Sequence, residues 1–209
     1  MIKVLIADDH AIVRKGLKQL ILEEFPSATV VEVGDAELLI KKTIQEEFDI
    51  VVCDLSMPGR SGLDALRQIK QSSPSLPVLI MSVHPEDQYA LRVLKAGASA
   101  YLGKDTVHED LIKAIHAARM GKKFITPSIA EKLAYAFEND NGQESHQSLS
   151  DREFDVFKLL AGGKSISAIA EQLTLSITTV STYRARILEK MQMHSNAEMT
   201  RYALEKGLI

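Results

Sequence analysis

The chain has 209 residues, 45% of them apolar and 25% charged, which excludes wholesale disorder and allows one large domain or two small ones. Its single Cys excludes a disulfide framework and favours a reducing, cytoplasmic location, and no apolar run approaches the roughly 18–20 residues that span a bilayer, so no membrane partner is expected. The net charge of −3 argues against nucleic acid as a partner of the chain as a whole, so charge has to be considered segment by segment.

The first 120 residues alternate short apolar runs with longer amphipathic segments. Apolar residues three and four apart, as at Ile12, Leu17, Leu20 and Ile21, are typical of helices. Five strand–helix repeats predict a flavodoxin-like α/β domain over residues 1–120, with a five-stranded parallel sheet of order 2-1-3-4-5. The apolar runs, which we expect to form strands buried on both faces, are Val4–Ala7, Thr29–Val33, Ile50–Cys53, Val78–Met81 and Ala98–Leu102.

Residues 121–148 have the pattern of a connection. Thr106 and Glu109 have capping-box form at the start of the fifth helix, which ends before Gly121. Thr126 and Pro127 then open a linker helix running to about residue 137. Residues 139–148 are polar and have no period, which predicts a flexible linker.

From residue 149 to residue 209 the pattern predicts helices only. Capping-box forms at Ser150–Glu153 and Ser195–Glu198 precede two amphipathic runs. Two further helices fit between them, Ser165–Leu173 and Ile177–Met191, joined by the short turn Thr174–Ser176. An all-α four-helix domain containing a candidate helix-turn-helix is therefore expected.

Three carboxylates stand where predicted strands end. Asp8 and Asp9 follow the first strand and Asp54 follows the third, and in the predicted strand order these strands are neighbours. Such a cluster repels itself unless a cation lies in it, and Mg²⁺ prefers carboxylate oxygens. Ser82 ends the fourth strand and would supply a hydroxyl, and Lys104 follows the fifth strand and would supply a compact positive charge, as a phosphoryl-transfer site requires.

A carboxylate can attack phosphorus to form an aspartyl-phosphate, and the central Asp54 is the natural acceptor. Taken alone, each of these residues is more often a turn or surface residue; their joint placement at four strand ends favours the site. Cys53 is interpreted as a small core residue. The histidines lack the spacing of metal ligands and are interpreted as structural or surface residues: His10, His84, His108 and His116.

Residues 1–120 resemble the receiver domain of bacterial two-component response regulators. The resemblance implies that a sensor histidine kinase phosphorylates Asp54, and that Asp9, Asp54 and the backbone carbonyl of Ser56 bind Mg²⁺ with support from Asp8. Ser82 and Tyr101 would form a switch pair, in which the hydroxyl moves towards the phosphoryl group and the ring turns inward. The matching residues are Asp8-Asp9, Asp54, Met57-Pro58-Gly59, Gly62, Ser82, Tyr101 and Lys104. Ser82, Val83 and Asp105 depart from the commonest family residues, which leaves the kinetics open.

The helix predicted at Ile177–Met191 has two faces. Ile177, Val180, Ile187, Leu188 and Met191 fall at core spacing. The other face is small and rich in hydroxyls, which suits close approach to base edges, and flanking cations could reach phosphates. That face holds Thr178, Ser181, Thr182, Ala185 and Glu189, and the cations are Arg184, Arg186 and Lys190. A protein-interaction module with a solvated basic face remains the alternative from spacing alone.

Residues 149–209 also resemble the DNA-binding domain of NarL/FixJ-type (LuxR-type) regulators. The match includes Leu149–Glu153, Ala161–Ser165, Ile169-Ala170, Leu175-Ser176, Thr179-Val180, Asn196–Glu198, Tyr202-Ala203 and Gly207–Ile209. It implies that Ser181, Thr182 and Ala185 face bases, and that the helix from about Ser195 serves dimerisation. Backbone contacts would come from Lys164, Ser165, Thr179, Arg184 and Arg186. Ile166, Ser181 and Tyr183 differ from common family residues, so no base preference follows.

Together the two resemblances imply a transcription regulator whose phosphorylation promotes dimerisation and promoter binding, with RNA polymerase as a further expected partner. No enzymatic activity is expected beyond Mg²⁺-dependent self-phosphorylation and autodephosphorylation. Three alternatives stay open: a haloacid-dehalogenase-type phosphatase, which needs an Asp where Ser56 stands; a phosphorylation-independent scaffold; and a protein-binding output without DNA.

The net charge divides unevenly along the chain. It is −1 over residues 1–130, −3 over residues 131–148 and only +1 over residues 149–209. Since phosphate contacts supply most non-specific affinity, one such C-terminal domain should bind DNA weakly, and dimerisation would have to contribute much of the affinity.

Overall fold

A computed structural model describes residues 1–138 and 145–209 of the chain. These residues form two compact units, Met1–Ala136 and Phe137–Ile209. Part of the expected flexible linker, residues 139–144, lies outside the described residues, and the domain boundaries at residues 120 and 149 stay predictions. No helix in the described ranges has the length and apolar character needed to cross a membrane.

The first unit is built on a five-stranded parallel sheet with the predicted order β2-β1-β3-β4-β5. Ala7 pairs with Cys53, Asp54 with Met81, and Ser82 with Gly103, so the carboxyl ends of four strands are aligned at one edge. The strands are β1 Lys3–Ala7, β2 Thr29–Val33, β3 Ile50–Asp54, β4 Val78–Ser82 and β5 Ala100–Gly103.

Helices connect these strands as parallel crossovers require. The core lies where β1, β3 and β4, which are buried almost throughout, pack against α1 and α5, with Leu17, Ile21 and Leu111 among its residues. The helices are α1 Ala11–Glu24, α2 Ala36–Gln45, α3 Gly62–Ser72, α4 Glu86–Lys95, α5 Val107–Arg119 and α6 Pro127–Glu138.

Three local expectations in this unit were wrong. The strand β2 is not buried on both faces, because it forms one edge of the sheet and is covered less completely. Ile12 is 78% exposed, since the inward stripe of α1 runs through Val13, Leu17 and Ile21. Thr106 makes no side-chain cap, because its backbone (φ −106°, ψ 2°) is not in the extended conformation of a capping residue.

The second unit consists of a short 3-10 helix and four α-helices. Phe154 and Phe157 of α7 lie fully buried with Val180 and Ile187 of α9 and Met199 of α10. The elements are the 3-10 helix Ser145–Ser148, α7 Asp151–Ala161, α8 Ile166–Gln172, α9 Ile177–Lys190 and α10 Asn196–Glu205.

The start of α7 and the turn between α8 and α9 follow the predicted signals. Ser150 and Glu153 form a complete capping box. The turn is tight, with Thr174 at φ 55°, and Ser176 caps α9 by accepting the N–H of Thr179. The expectation that Ile177 lies in the core was wrong, because this first residue of α9 is 59% exposed.

Candidate functional site

The three carboxylates predicted at the strand ends lie together. Asp8 immediately follows β1, Asp54 ends β3, and both are buried, whereas Asp9 is exposed at the rim. The ligand atoms of Asp8, Asp9, His10 and Asp54 all lie within 4.8 Å of one another. Parallel strands with aligned ends therefore create an acidic pocket of these four residues.

Lys104 closes one side of the acidic pocket. Its Nζ lies 2.7 Å from Oδ2 of Asp8 and 3.0 Å from Oδ2 of Asp54. Its backbone N–H donates to the carbonyl of Ser82, which fixes it beside the end of β4. Burial would lower the pKa of Lys104, but its bonds to the two carboxylates prevail and raise it. Lys104 thus stays a fixed positive charge in the pocket.

The two carboxylate oxygens of Asp54 differ in their hydrogen bonding. Its side chain is 3% exposed, and within the described part of the chain its Oδ1 has no hydrogen-bond partner. Burial raises the pKa of this carboxyl, while Lys104 opposes the shift. A buried carboxylate oxygen without a partner is costly. A hard divalent cation such as Mg²⁺, which prefers carboxylate oxygens, would fit this set of ligand atoms and would bind the unpaired oxygen.

The expected switch residues converge on the loop that follows β4. Both Ser82 and Tyr101 are fully buried. The Oγ of Ser82 accepts the backbone N–H of His84 at 3.0 Å, and the hydroxyl of Tyr101 donates to the His84 carbonyl at 2.8 Å. The His84 ring stacks on Tyr89, and its Nε2 lies 3.2 Å from Oγ of Ser56. One loop residue therefore connects both switch residues to the segment after Asp54.

Two residues of the site were missed by the sequence reasoning. His10, interpreted as structural or surface, has its ring Nδ1 2.8 Å from Oδ1 of Asp9. Arg14, one helical turn later, donates from Nη1 to the carbonyl of Asp8 at 2.7 Å. Arg14 lies one helical turn after His10, the N-cap residue of α1, and this spacing directly after Asp8-Asp9 could have indicated Arg14, whereas no spacing indicates the role of His10.

Cys53 is a core residue, as interpreted. It is fully buried one residue before Asp54, and its thiol donates to the Asp54 carbonyl. Burial, followed by the nearby carboxylates, raises the pKa of the thiol far above its usual range. Cys53 is therefore not a nucleophile in this pocket.

The second candidate site is the outer face of α9. Thr178, Ser181, Thr182 and Ala185 are all exposed along it, at the spacing of one helical face. Arg186 is also exposed, and no described residue pairs with it. This face could enter a groove without rearrangement of the helix.

The other predicted DNA contacts have partners within the unit. Nζ of Lys190 lies 2.6 Å from Oε2 of the buried Glu153, and Nε of Arg184 donates to Asn196 at 2.7 Å. Lys164 donates to Gln172, and Ser165 caps α8. The hydroxyl of Thr179 lies 2.7 Å from Oγ of Ser176. Their contacts with DNA stay predictions. To contact DNA, Lys190 and Arg184 would have to share or exchange their bonds to Glu153 and Asn196.

Both units match known families. Residues 4–116 match the response regulator receiver domain, and residues 147–203 match the bacterial regulatory proteins of the luxR family. The chain is 35% identical to the response regulator UvrY of Escherichia coli strain K12, over all of this chain and 96% of that protein. It is 34% identical to the oxygen regulatory protein NreC of Staphylococcus carnosus strain TM300, over 99% of each chain.

Solved structures agree with this similarity. The structure of RcsB from Salmonella enterica serovar Typhimurium, bound to promoter rprA in the presence of the phosphomimetic BeF3⁻, matches with a TM-score of 0.65 and 27% identity. The match covers 97% of this chain and 98% of that one. A second structure, of two RcsB dimers bound to two parallel DNAs, matches with a TM-score of 0.59 and 29% identity, over 96% and 97% of the two chains.

Proposed function

Because the chain belongs to the DNA-binding two-component response regulators of the LuxR family, we propose that Asp54 accepts a phosphoryl group from a sensor histidine kinase and that this controls promoter binding. The observation that carries the proposal is the acidic pocket. It holds a buried carboxylate with one uncommitted oxygen beside the fixed charge of Lys104.

Each residue of the acidic pocket would have a separate role in the phosphoryl transfer. A carboxylate oxygen of Asp54 attacks phosphorus while the bond from phosphorus to the kinase histidine nitrogen breaks. Lys104, already 3.0 Å from Asp54, is placed to balance the negative charge of the transferred group. Asp8, Asp9, Asp54 and the backbone carbonyl of Ser56 would hold Mg²⁺, which supplies further charge neutralisation when bound.

The switch would act through the loop after β4. A phosphoryl group on Asp54 offers new acceptor oxygens, and the Ser82 hydroxyl, at the end of the neighbouring strand β4, would move towards it as a donor. Since Ser82 and Tyr101 both bond the backbone of His84, a movement of Ser82 changes the support of the loop and of the Tyr101 ring. We expect phosphorylation to shift an existing equilibrium towards a dimerising form.

The output is proposed to be promoter binding by a dimer in the bacterial cytoplasm. RcsB structures contain promoter DNA and dimers, and we extend both features to this chain. The helix α9 would enter the major groove, and α10 would serve dimerisation. RNA polymerase would be a further partner. Bases would be contacted by Ser181, Thr182 and Ala185, and phosphates or groove edges by Lys164, Ser165, Thr178, Thr179, Arg184, Arg186 and Lys190.

Phosphate labelling of the full chain tests the central step. With a small-molecule phosphodonor and Mg²⁺, the protein should incorporate acid-labile phosphate, and Asp54→Ala should abolish incorporation. Glu47→Ala, which removes an exposed carboxylate before β3, at the opposite end of that strand from Asp54, serves as the control and should be labelled normally. Full labelling of Asp54→Ala would contradict the assignment of the acceptor. If Mg²⁺ did not bind near Asp54, the scaffold alternative would be favoured.

A further inference from the structure

His10 gives the acidic pocket a nitrogen atom among its oxygen ligands. The residue precedes α1, and its backbone N–H donates to Oδ1 of Asp8 at 2.7 Å. This bond places the ring over the pocket, with Nδ1 2.8 Å from Oδ1 of Asp9 and 3.3 Å from Oδ1 of Asp8. The side chain is 63% exposed, so the ring can turn without disturbing the core.

The pocket also has oxygens left for a cation on the side away from Lys104. Lys104 engages Oδ2 of Asp8 and Oδ2 of Asp54. The Oδ1 of Asp54 is buried and has no hydrogen-bond partner among the residues that the structure describes. Together with Asp9 and the His10 ring, these groups offer ligand atoms within 4.8 Å of one another.

We propose that His10 is an additional metal ligand of the acidic pocket, used by divalent transition ions such as Mn²⁺, Co²⁺ and Ni²⁺ and not by Mg²⁺. Mg²⁺ takes oxygen ligands and retains several waters. Imidazole is a good ligand for the later first-row ions, whose affinity for mixed nitrogen and oxygen sites rises from Mn²⁺ through Co²⁺ to Ni²⁺. The inference deepens the proposed metal-dependent function and rests on the same pocket.

A simpler role for His10 is a surface ion pair with Asp9, and the chain contains a matched example of such a pair. His116 is 44% exposed, and its Nε2 lies 3.2 Å from Oε1 of Glu24. Among the described residues, this pair does not belong to a group of three or more possible metal ligands. Replacing His116 therefore removes an equivalent histidine–carboxylate pair outside the pocket.

Calorimetric titration of the full chain with Mg²⁺, Mn²⁺, Co²⁺ and Ni²⁺ separates these roles. In His10→Ala the affinity for Ni²⁺ should fall by about tenfold or more relative to the affinity for Mg²⁺, with smaller relative losses for Co²⁺ and Mn²⁺. His116→Ala should leave every affinity as in the wild type. Asp54→Asn should weaken both Mg²⁺ and Ni²⁺ binding, which places the nitrogen and the carboxylate in one site. Pulsed paramagnetic resonance of bound Mn²⁺ should show a nitrogen coupling that His10→Ala loses.

The possible failures are distinct. Equal affinities of wild type and His10→Ala for Ni²⁺, or an equal loss for Ni²⁺ and Mg²⁺, would overturn the role of His10 while leaving the Mg²⁺ pocket intact. Wild-type protein that binds Ni²⁺ through His10 and Asp54 but binds no Mg²⁺ would support this inference and contradict the proposed use of Mg²⁺. Thermal melts followed by circular dichroism would show that each variant is folded.

Discussion

Gly62 allows α3 to begin directly against the end of β3, the strand that carries Asp54. Its backbone N–H donates to the carbonyl of Leu55 at 2.9 Å. A Cβ atom built at position 62 would lie far inside van der Waals contact of the Asp54 backbone carbonyl. This backbone atom cannot rotate away as a side chain could, so the position depends on the absence of a side chain.

Gly62→Ala should therefore destabilise the first unit by about 1–3 kcal/mol, the usual cost of overpacking, and weaken Mg²⁺ binding by displacing Asp54. Urea unfolding and metal titration measure the two effects. Gly16→Ala is the matched control, because Gly16 lies inside α1 with open space around it. This change should stabilise by about 0.5–1 kcal/mol. If Gly62→Ala changed neither the free energy of unfolding nor Mg²⁺ binding, the end of β3 would be able to relax, and the requirement for glycine at this position would be contradicted.

The carboxylates and the pocket lysine could be predicted because parallel strands place their ends together. Asp8, Asp54 and Lys104 needed only the strand order to be brought into contact. His10 could not be assigned in the same way. Its role depends on the position of its ring beside the carboxylates, which follows from the backbone bond of His10 to Asp8, and no spacing in the sequence encodes that position.

Among the helices, α7 is joined to α9 through one buried carboxylate. Glu153 is 3% exposed, accepts the backbone N–H of Ser150 at 2.8 Å and pairs with Lys190 at 2.6 Å. Burial raises its pKa, but the bonds from Lys190 and Ser150 outweigh burial and lower the pKa below the ordinary 4.5. The folded unit thus favours the charged form of Glu153.

The lowered pKa of Glu153 predicts that the second unit loses stability in acid. A carboxyl with a lowered folded-state pKa contributes stability above its unfolded pKa of about 4.5, and that contribution is lost as the pH falls through the folded-state value. Glu153→Gln should cost about 1–3 kcal/mol at pH 7 and flatten the pH dependence below 4.5. Urea unfolding at several pH values measures both. Glu171→Gln, at an exposed site on α8, should change neither, and an unaltered acid response in Glu153→Gln would contradict the assignment.

The exposed cation of α9 makes a separate prediction. Arg186→Ala should weaken DNA binding for specific and random duplexes alike, and should reduce the slope of log affinity against log salt by about 1, as expected for one lost phosphate contact. Lys41→Ala on α2 removes the same charge from an exposed position outside the second unit. It should leave the slope unchanged. Fluorescence anisotropy over a salt series measures this, and equal slopes for wild type and Arg186→Ala would exclude the contact.

Helix starts show how far local sequence determines local structure. Ser150–Glu153 and Thr106–Glu109 have the same capping-box sequence. Both hydrogen bonds of the box form at Ser150–Glu153, whereas the side chain of Thr106 makes no capping bond. Ser150 is extended at φ −63° and ψ 164°, whereas Thr106 has ψ 2°. The chain leaving β5 sets the backbone at Thr106, so the tertiary path overrides the local signal there.

For the whole molecule, the distribution of charge matters more than its sum. The residues from 149 onward carry a net charge of only +1, and two of the cations on α9 are engaged by Glu153 and Asn196. One copy should therefore bind DNA weakly. A dimer doubles the contacts and links the two half-sites, which would make DNA affinity depend on the state of the receiver unit. The fold classes of both units could be predicted because the spacing of apolar residues differs between strands and helices. That spacing does not encode how DNA affinity depends on the state of the receiver unit.

The most direct test of the account is the affinity of the full chain for duplex DNA selected from a random pool, measured with and without beryllofluoride and Mg²⁺. The account predicts that the phosphoryl mimic raises both the dimer population, seen by sedimentation, and the DNA affinity, and that Asp54→Ala responds in neither measurement. Equal dimer population and equal affinity in the two conditions for the wild type would contradict control of DNA binding by the acidic pocket.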